Sequence, residues 1–172
     1  MSRSARKPRL LPGAALVACA LWLCVGLPAG AAPTAPAADA DAALIDACLN
    51  DAGMKGRDPR ECGERVIRAC LAEAGGSSTA AMTALACEKR RSDAWGLRAR
   101  QAYRQVESKL GDADKRLLRT SQVQFELELR DLCAATRSLP GGDPELAAAA
   151  CASDLVAARA LTLARLAAGK LP

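Results

Sequence analysis

Cysteine placement constrains this chain more than any other feature. The 172 residues contain eight cysteines and no histidine. Cys19 and Cys24 fall in an N-terminal stretch with the marks of an export leader. That leaves Cys48, Cys62, Cys70, Cys87, Cys133 and Cys151 in the remainder. An even set of six in a small exported domain predicts three disulfides. The missing imidazole removes the commonest general base and the commonest metal ligand.

Residues 1–31 read as a signal peptide. Arg3, Arg6, Lys7 and Arg9 form a basic start, Leu10 to Leu27 is almost wholly apolar, and Ala29-Gly30-Ala31 has the small-x-small cleavage pattern. An uncleaved anchor is the alternative, since about eighteen apolar residues nearly span a bilayer. Pro12, Gly13, Gly26 and Pro28 interrupt the run, which weighs against it. Leu16-Val17-Ala18-Cys19 also fits a lipobox that would lipidate Cys19, although the apolar core continues through Ala20-Leu21-Trp22-Leu23. The expected location is periplasmic or secreted, with membrane attachment only through a lipidated Cys19. The whole chain carries 24 basic and 19 acidic residues, net +5. Removing the leader leaves 20 basic and 19 acidic, net +1. The apparent basicity belongs to targeting and gives no support to nucleic-acid binding.

Residues 32–40 are rich in alanine and proline and read as a flexible spacer before a domain over 41–169. Within that domain β-branched residues are sparse, while Ala, Leu, Arg and Glu dominate, which predicts an all-α fold. Punctuation places about five helices. Asp41 starts a short one that Gly53 closes. Asp58-Pro59-Arg60-Glu61 carries an N-cap acid, a first-turn proline and a third-position Glu, and opens a helix ending at Gly75-Gly76. Ser77 or Ser78 caps a long helix from Thr79 to about Leu110. A fourth runs from Asp112 to Ser138, and Asp143-Pro144-Glu145 opens the last, which reaches Ala168. Trp95, Ala99, Ala102, Val106 and Leu110 share a helix face, as do Leu118, Ser121, Phe125, Leu129, Leu132 and Thr136. The expected architecture is a disulfide-stapled antiparallel helical bundle with a thin core.

In an antiparallel helix pair, cysteines at similar distances from the turn come face to face. Cys133 pairs with Cys151 on this logic, and Cys48 with Cys62 across the Gly53–Asp58 loop. Cys62 and Cys70 cannot join within one helix, because eight residues at about 1.5 Å rise hold them near 12 Å apart. Cys70 with Cys87 completes the set. The alternative is Cys62–Cys87 with Cys48–Cys70.

Catalytic and metal chemistry find little to work with. The cysteine spacings of 14, 8, 17, 46 and 18 include no Cys-x-x-Cys, and zinc takes four thiolate or imidazole ligands in close pairs. A cysteine or serine nucleophile lacks its histidine. Glu126 with Glu128, and Asp112 with Asp114, read as solvated surface. Gly75-Gly76 and Gly141-Gly142 are helix stops rather than phosphate loops. The expectation is a non-enzyme without metal or cofactor.

One resemblance covers about 110 residues. Cys87, Trp95-Gly96, Ala99-Arg100 and Tyr103 are followed by Gln122-x-x-Phe125 and Arg130-Asp131-x-Cys133. Gly141-Gly142 comes next, then Cys151 with Arg159 eight positions on. This order resembles the lysozyme inhibitor LprI-like N-terminal domain, a small exported helical module of bacteria, with its core over residues 87–166. Upstream, Cys62-Gly63, Cys70, Gly75-Gly76 and Met82 resemble extended members. Gly96 stands where that family has Asp, Ala99-Arg100 where it has Leu-Asn, and Phe125 where it has Trp. Arg130 is one residue nearer its cysteine than usual. The resemblance implies a helical fold and a binding role in the envelope, with a lysozyme-like muramidase as partner.

The matched residues also have structural readings. Trp95, Tyr103 and Phe125 read as core, and Gln122 and Arg159 as edge residues bonding carbonyls or a carboxylate such as Asp131 or Asp154. Arg90, Arg91, Arg98, Arg100 and Arg104 read as one solvated basic face. Residues 32–76, with eight acids and five bases, read as the surface for a cationic partner. Two functions remain: an inhibitor or sensor of a muramidase, and a structural or stress-related periplasmic module with no enzyme target. Oligomeric state is not legible.

Overall fold

In the computed structural model the described residues are 35–75 and 80–170, all within the unit Ala32–Pro172. The leader, the lipobox at Cys19 and the cap at Ser77 or Ser78 lie outside them. Five α-helices follow one another: α1 (Ala35–Leu49), α2 (Glu64–Ala74), α3 (Ala80–Glu107), α4 (Asp112–Thr136) and α5 (Pro144–Ala167). There is no strand among the described residues, so the all-α expectation holds. One boundary moves: α1 begins at Ala35, and residues 35–40 of the expected spacer are helical. Alanine at four of those six positions outweighs the single Pro36, which sits in the first turn where its missing N–H costs nothing.

The start signals act as their chemistry requires. Asp58 caps a short 3-10 turn over Pro59–Gly63 by accepting from the Arg60 backbone N–H, and that turn leads into α2. Asp143 caps α5 by accepting from the Glu145 and Leu146 N–H groups, with Pro144 at the first position. Gly75 closes α2 at φ 56°, the left-handed conformation that glycine adopts cheaply.

Consecutive helices alternate in direction, and the staples record it. Cys48–Cys62, Cys70–Cys87 and Cys133–Cys151 are bonded, each bridging neighbouring segments in the chain. The direct reading of spacing is the one realised. Three intramolecular disulfides suit an oxidising, extracytoplasmic environment. α3 and α5 form the central pair and run parallel: Arg91 reaches Asp154, while Val106 clusters with Ala167 further along both helices. α1 and α2 cover one side of α3, and α4 lies on α5. α5 is long and apolar enough to span a membrane by length and composition. Here it is the helix at the centre, with Ala148, Ser153, Ala157, Ala160, Leu163 and Ala167 buried.

Trp95, 1% exposed, is the largest buried side chain. It packs with Ile45, Cys48, Cys62, Val66, Ala94, Ala157 and Ala160, and a second cluster joins Ala102, Val106, Leu118, Leu163 and Ala167. The predicted face of α3 is therefore the core face. α4 keeps most of its predicted face: Leu118 is buried and Phe125, Leu129 and Thr136 are half-buried, while Ser121 and Leu132 are exposed and Gln122 and Cys133 face inward in their place. The cause is the Cys133–Cys151 bond, which aims Cys133 and its helical neighbours Gln122, Phe125 and Leu129 at α5. Few large residues hold α4, and Leu117, Val123 and Leu127 also face outward.

Candidate functional site

A groove runs between α3 and α4, floored by α5. It opens because the residues facing it are small: Gly96 and Ala99 on α3, and Ala148, Ala149 and Ala152 on α5. Its central part, a cleft of about 440 Å³, is lined by Tyr103, Arg100 and Arg104 from α3, by Gln122, Phe125, Glu126 and Leu129 from α4, and by Val156. That volume falls within the usual range for small-ligand sites, roughly 300–1,000 Å³. Leu129 continues into a second section beside Cys133, where Arg130, Arg137, Lys89 and Glu145 sit at the margin.

Three residues of the sequence motif thus meet across two helices. Tyr103, Gln122 and Phe125 are half-buried cleft walls, and Tyr103 also packs against the second core cluster. Arg159 is the next residue of the α5 floor row after Ala152 and Val156. Its guanidinium carbon lies 5.5 Å from the centre of the Phe125 ring, a cation–π arrangement, and its Nη2 donates to Gln122 Oε1 at 3.4 Å. Gln122 in turn donates to Glu126 at 3.1 Å. Burial pulls the Arg159 pKa down, with Tyr103 acting electrostatically in the opposite sense. Neither Asp131 nor Asp154 is its partner, contrary to expectation. Asp131 pairs with its neighbour Arg130 at 2.7 Å on the surface, and Asp154 with Arg91. Trp95 belongs to the core and Arg130 to the groove margin.

The basic face predicted on α3 is mostly not a free face. Arg90 binds Asp41 at 2.7 Å and also Glu73. Their carboxylates hold its pKa far above the ordinary value. Arg91, 8% exposed, reaches Glu64 and Glu88 at 2.9 Å and Asp154 at 3.2 Å. Arg98 pairs with Asp46. Glu88 is half-buried, and burial pushes its carboxyl pKa up against the pull of Arg91. The acidic surface predicted over residues 32–76 is neutralised by the same pairs, together with Asp51–Arg65, Asp58–Arg60 and Glu61–Arg57. Of the five arginines only Arg100 and Arg104 stay exposed and form no ion pair among the described residues, although Arg100 acts electrostatically on Asp93. Apart from Glu88, three residues away on the same helix, the ion-pair cluster around Arg91 left no local signal in sequence, because Glu64 and Asp154 are 27 and 63 residues away.

Among the described residues no group of three or more Asp, Glu, Cys or His side chains is placed to hold a metal. The six cysteines are all oxidised in pairs. What the cleft offers chemically is two aromatic faces, a glutamine amide and three guanidinium groups within or beside one concave surface. Comparison of the chain with protein-family models, curated proteins and solved structures finds no match.

Proposed function

We propose that the protein is an exported binding protein of the bacterial envelope, with the α3–α4 cleft as its recognition surface and a lysozyme-like muramidase as the enzyme it inhibits. The observation that carries this reading is convergence. Tyr103, Gln122, Phe125 and Arg159 are scattered over 57 residues of sequence and gather at one open cleft. They are also residues through which the chain resembles the LprI-like domain. Binding rather than catalysis suits a surface whose polar groups are mostly amide and guanidinium, which neither gain nor lose a proton near neutral pH, with Glu126 held by Gln122.

The structural or stress-related periplasmic module is the second reading, and a specific observation favours it. The acids expected to meet a basic enzyme, Asp46, Asp51 and Asp58, each already pair with an arginine. Turnover of lysozyme with a large molar excess of oxidised, leaderless protein separates the two. Inhibition that disappears in Ala99→Trp, which fills the cleft, supports the first. Undiminished lysis with the unaltered protein leaves the module. The periplasmic or secreted location predicts a mature chain starting at about Ala32. Intact-mass analysis tests it, and a lipidated Cys19 terminus replaces it with a membrane-anchored form.

A further inference from the structure

Half-buried arginines in this fold come with carboxylates. Arg90, Arg91 and Arg98 each have at least one acidic partner supplied by another helix. Arg159 does not. Among the described residues no carboxylate lies within ion-pair distance of it. Its one hydrogen bond is a long one to a neutral amide, and its Nε is buried with no acceptor. A buried donor without an acceptor is destabilising, the more so when it is charged. An oxyanion at the edge of the cleft does not reach the shielded Nε, but it supplies the countercharge that the guanidinium lacks.

The surroundings favour an anion further. Arg100 and Arg104 line the same cleft and form no ion pair among the described residues; Arg100 is shared electrostatically with Asp93, so Arg104 above all adds its charge to that of Arg159. The one acid among the lining residues, Glu126, is held by Gln122. Guanidinium presents a planar fork of donors that matches a carboxylate.

We propose that this cleft binds a saccharide bearing a carboxylate, with Arg159 taking the acid and Tyr103 and Phe125 flanking the ring. The proposal deepens, and rests on, the reading of the cleft as a recognition surface. A sugar acid fits better than an extended peptide for a reason built into the walls. Both are α-helices, whose backbone N–H and C=O groups are already bonded within α3 and α4. A peptide strand entering the cleft would desolvate its own backbone groups without finding backbone partners. A sugar asks for what side chains supply: apolar faces for its C–H surface, and an amide and guanidinium groups for its hydroxyls and acid.

The test is calorimetric titration of the oxidised, leaderless protein with N-acetylmuramic acid and with its methyl ester, two probes of nearly equal shape that differ in charge. Loss of a charge-assisted hydrogen bond corresponds to about tenfold or more in affinity, so the acid binds at least about tenfold tighter than the ester. Arg159→Gln removes that preference, and Arg159→Lys restores part of it. In the unaltered protein the Nε–H resonance of Arg159 shifts on adding the acid and not the ester, a readout that stands even if the glutamine variant does not fold. Equal affinity for acid and ester, binding of neither, an unmoved Arg159 resonance, or a preference unchanged in folded Arg159→Gln overturns the proposal. Tighter binding of an acetylated peptide with a free C-terminal carboxylate than of the sugar also overturns it. Lysozyme inhibition without sugar binding removes this proposal and keeps the muramidase reading. Sugar binding without inhibition does the reverse.

Discussion

Gly63 and Gly96 give a pair of substitutions with opposite expected signs. Gly63 joins the 3-10 turn to α2 at φ −62°, ψ −24°, a right-handed helical conformation that alanine adopts freely. Backbone preference alone predicts that Gly63→Ala stabilises by about 0.5–1 kcal/mol. Packing opposes it. A β-carbon there meets Trp95 Nε1 at 2.8 Å, Arg91 Cδ at 2.9 Å and Arg91 Cγ at 3.1 Å. Comfortable separations are about 3.5–4 Å. Neither neighbour has room to withdraw: the Trp95 ring is in the core, and Arg91 is held by three carboxylates. Overpacking costs about 1–3 kcal/mol. The net expectation is a loss of about 1–2 kcal/mol, or about 3–7 °C in Tm for a domain of this size. Gly96, in the interior of α3, meets only Arg100 Nη1 at 3.4 Å and Val156 Cγ1 at 4.0 Å. Gly96→Ala therefore gains about 0.5–1 kcal/mol from helix propensity. Thermal unfolding of the oxidised proteins by far-UV circular dichroism measures both. A Gly63→Ala protein as stable as the parent, or a destabilised Gly96→Ala protein, would refute the reasoning.

Arg90→Ala leaves Asp41, 2% exposed, as an uncompensated carboxylate and is expected to cost about 2–4 kcal/mol by urea denaturation. Replacing both, as Arg90→Met with Asp41→Leu, recovers most of that; a double variant no better than the single one contradicts the ion-pair account. Replacing Cys133 and Cys151 by alanine removes a loop closure worth about 3 kcal/mol. Because α4 buries only Leu118 and Cys133, hydrogen exchange should quicken there first. Acid stability divides by sign. Asp51 is held low by the Gly53 N–H and then Arg65, Asp58 by Arg60, Glu73 by Arg90 and Asp131 by Arg130. Their contributions are present above the ordinary carboxylate range near about pH 4 and are lost as pH falls through the lowered values. Glu88 is raised by burial, so its stabilising share exists below that range and is lost as pH rises through its folded value. Stability should hold or rise slightly from pH 7 to about 5, then fall below about 4. Asp93 is raised by burial in the same sense, so Glu88→Gln should flatten the upper part only partly, and a steady fall from pH 7 would contradict this.

Local chemistry was legible in the sequence. Helix caps at Asp58 and Asp143, the stop at Gly75 and the disulfide pairing all depend on residues less than twenty apart. Charge was not legible in the same way. Arg90, Arg91 and Arg98 repeat along one helix as a solvated face would. Asp41 and Asp154, which neutralise two of them, lie 49 and 63 residues away, and only the fold brings them near. On α4 the apolar period places Ser121 and Leu132 inward, whereas the covalent bond at Cys133 brings Cys133 and Gln122 to the inner face beside Phe125 and Leu129. The cleft was invisible for a simpler reason. It is made by what Gly96, Ala99, Ala148 and Ala152 lack, and small residues in a helical pattern read as close packing.

The order in which the cysteines pair bears on how the protein is made. Among the six described cysteines, first joins second, third joins fourth and fifth joins sixth. A polypeptide synthesised or translocated from its N-terminus therefore presents each odd cysteine with its correct partner as the next thiol to arrive. An oxidant that simply joins neighbouring thiols produces the native set, and no wrong bond has to be exchanged later. Maturation of this bundle calls for a disulfide donor and leaves a disulfide isomerase without work to do.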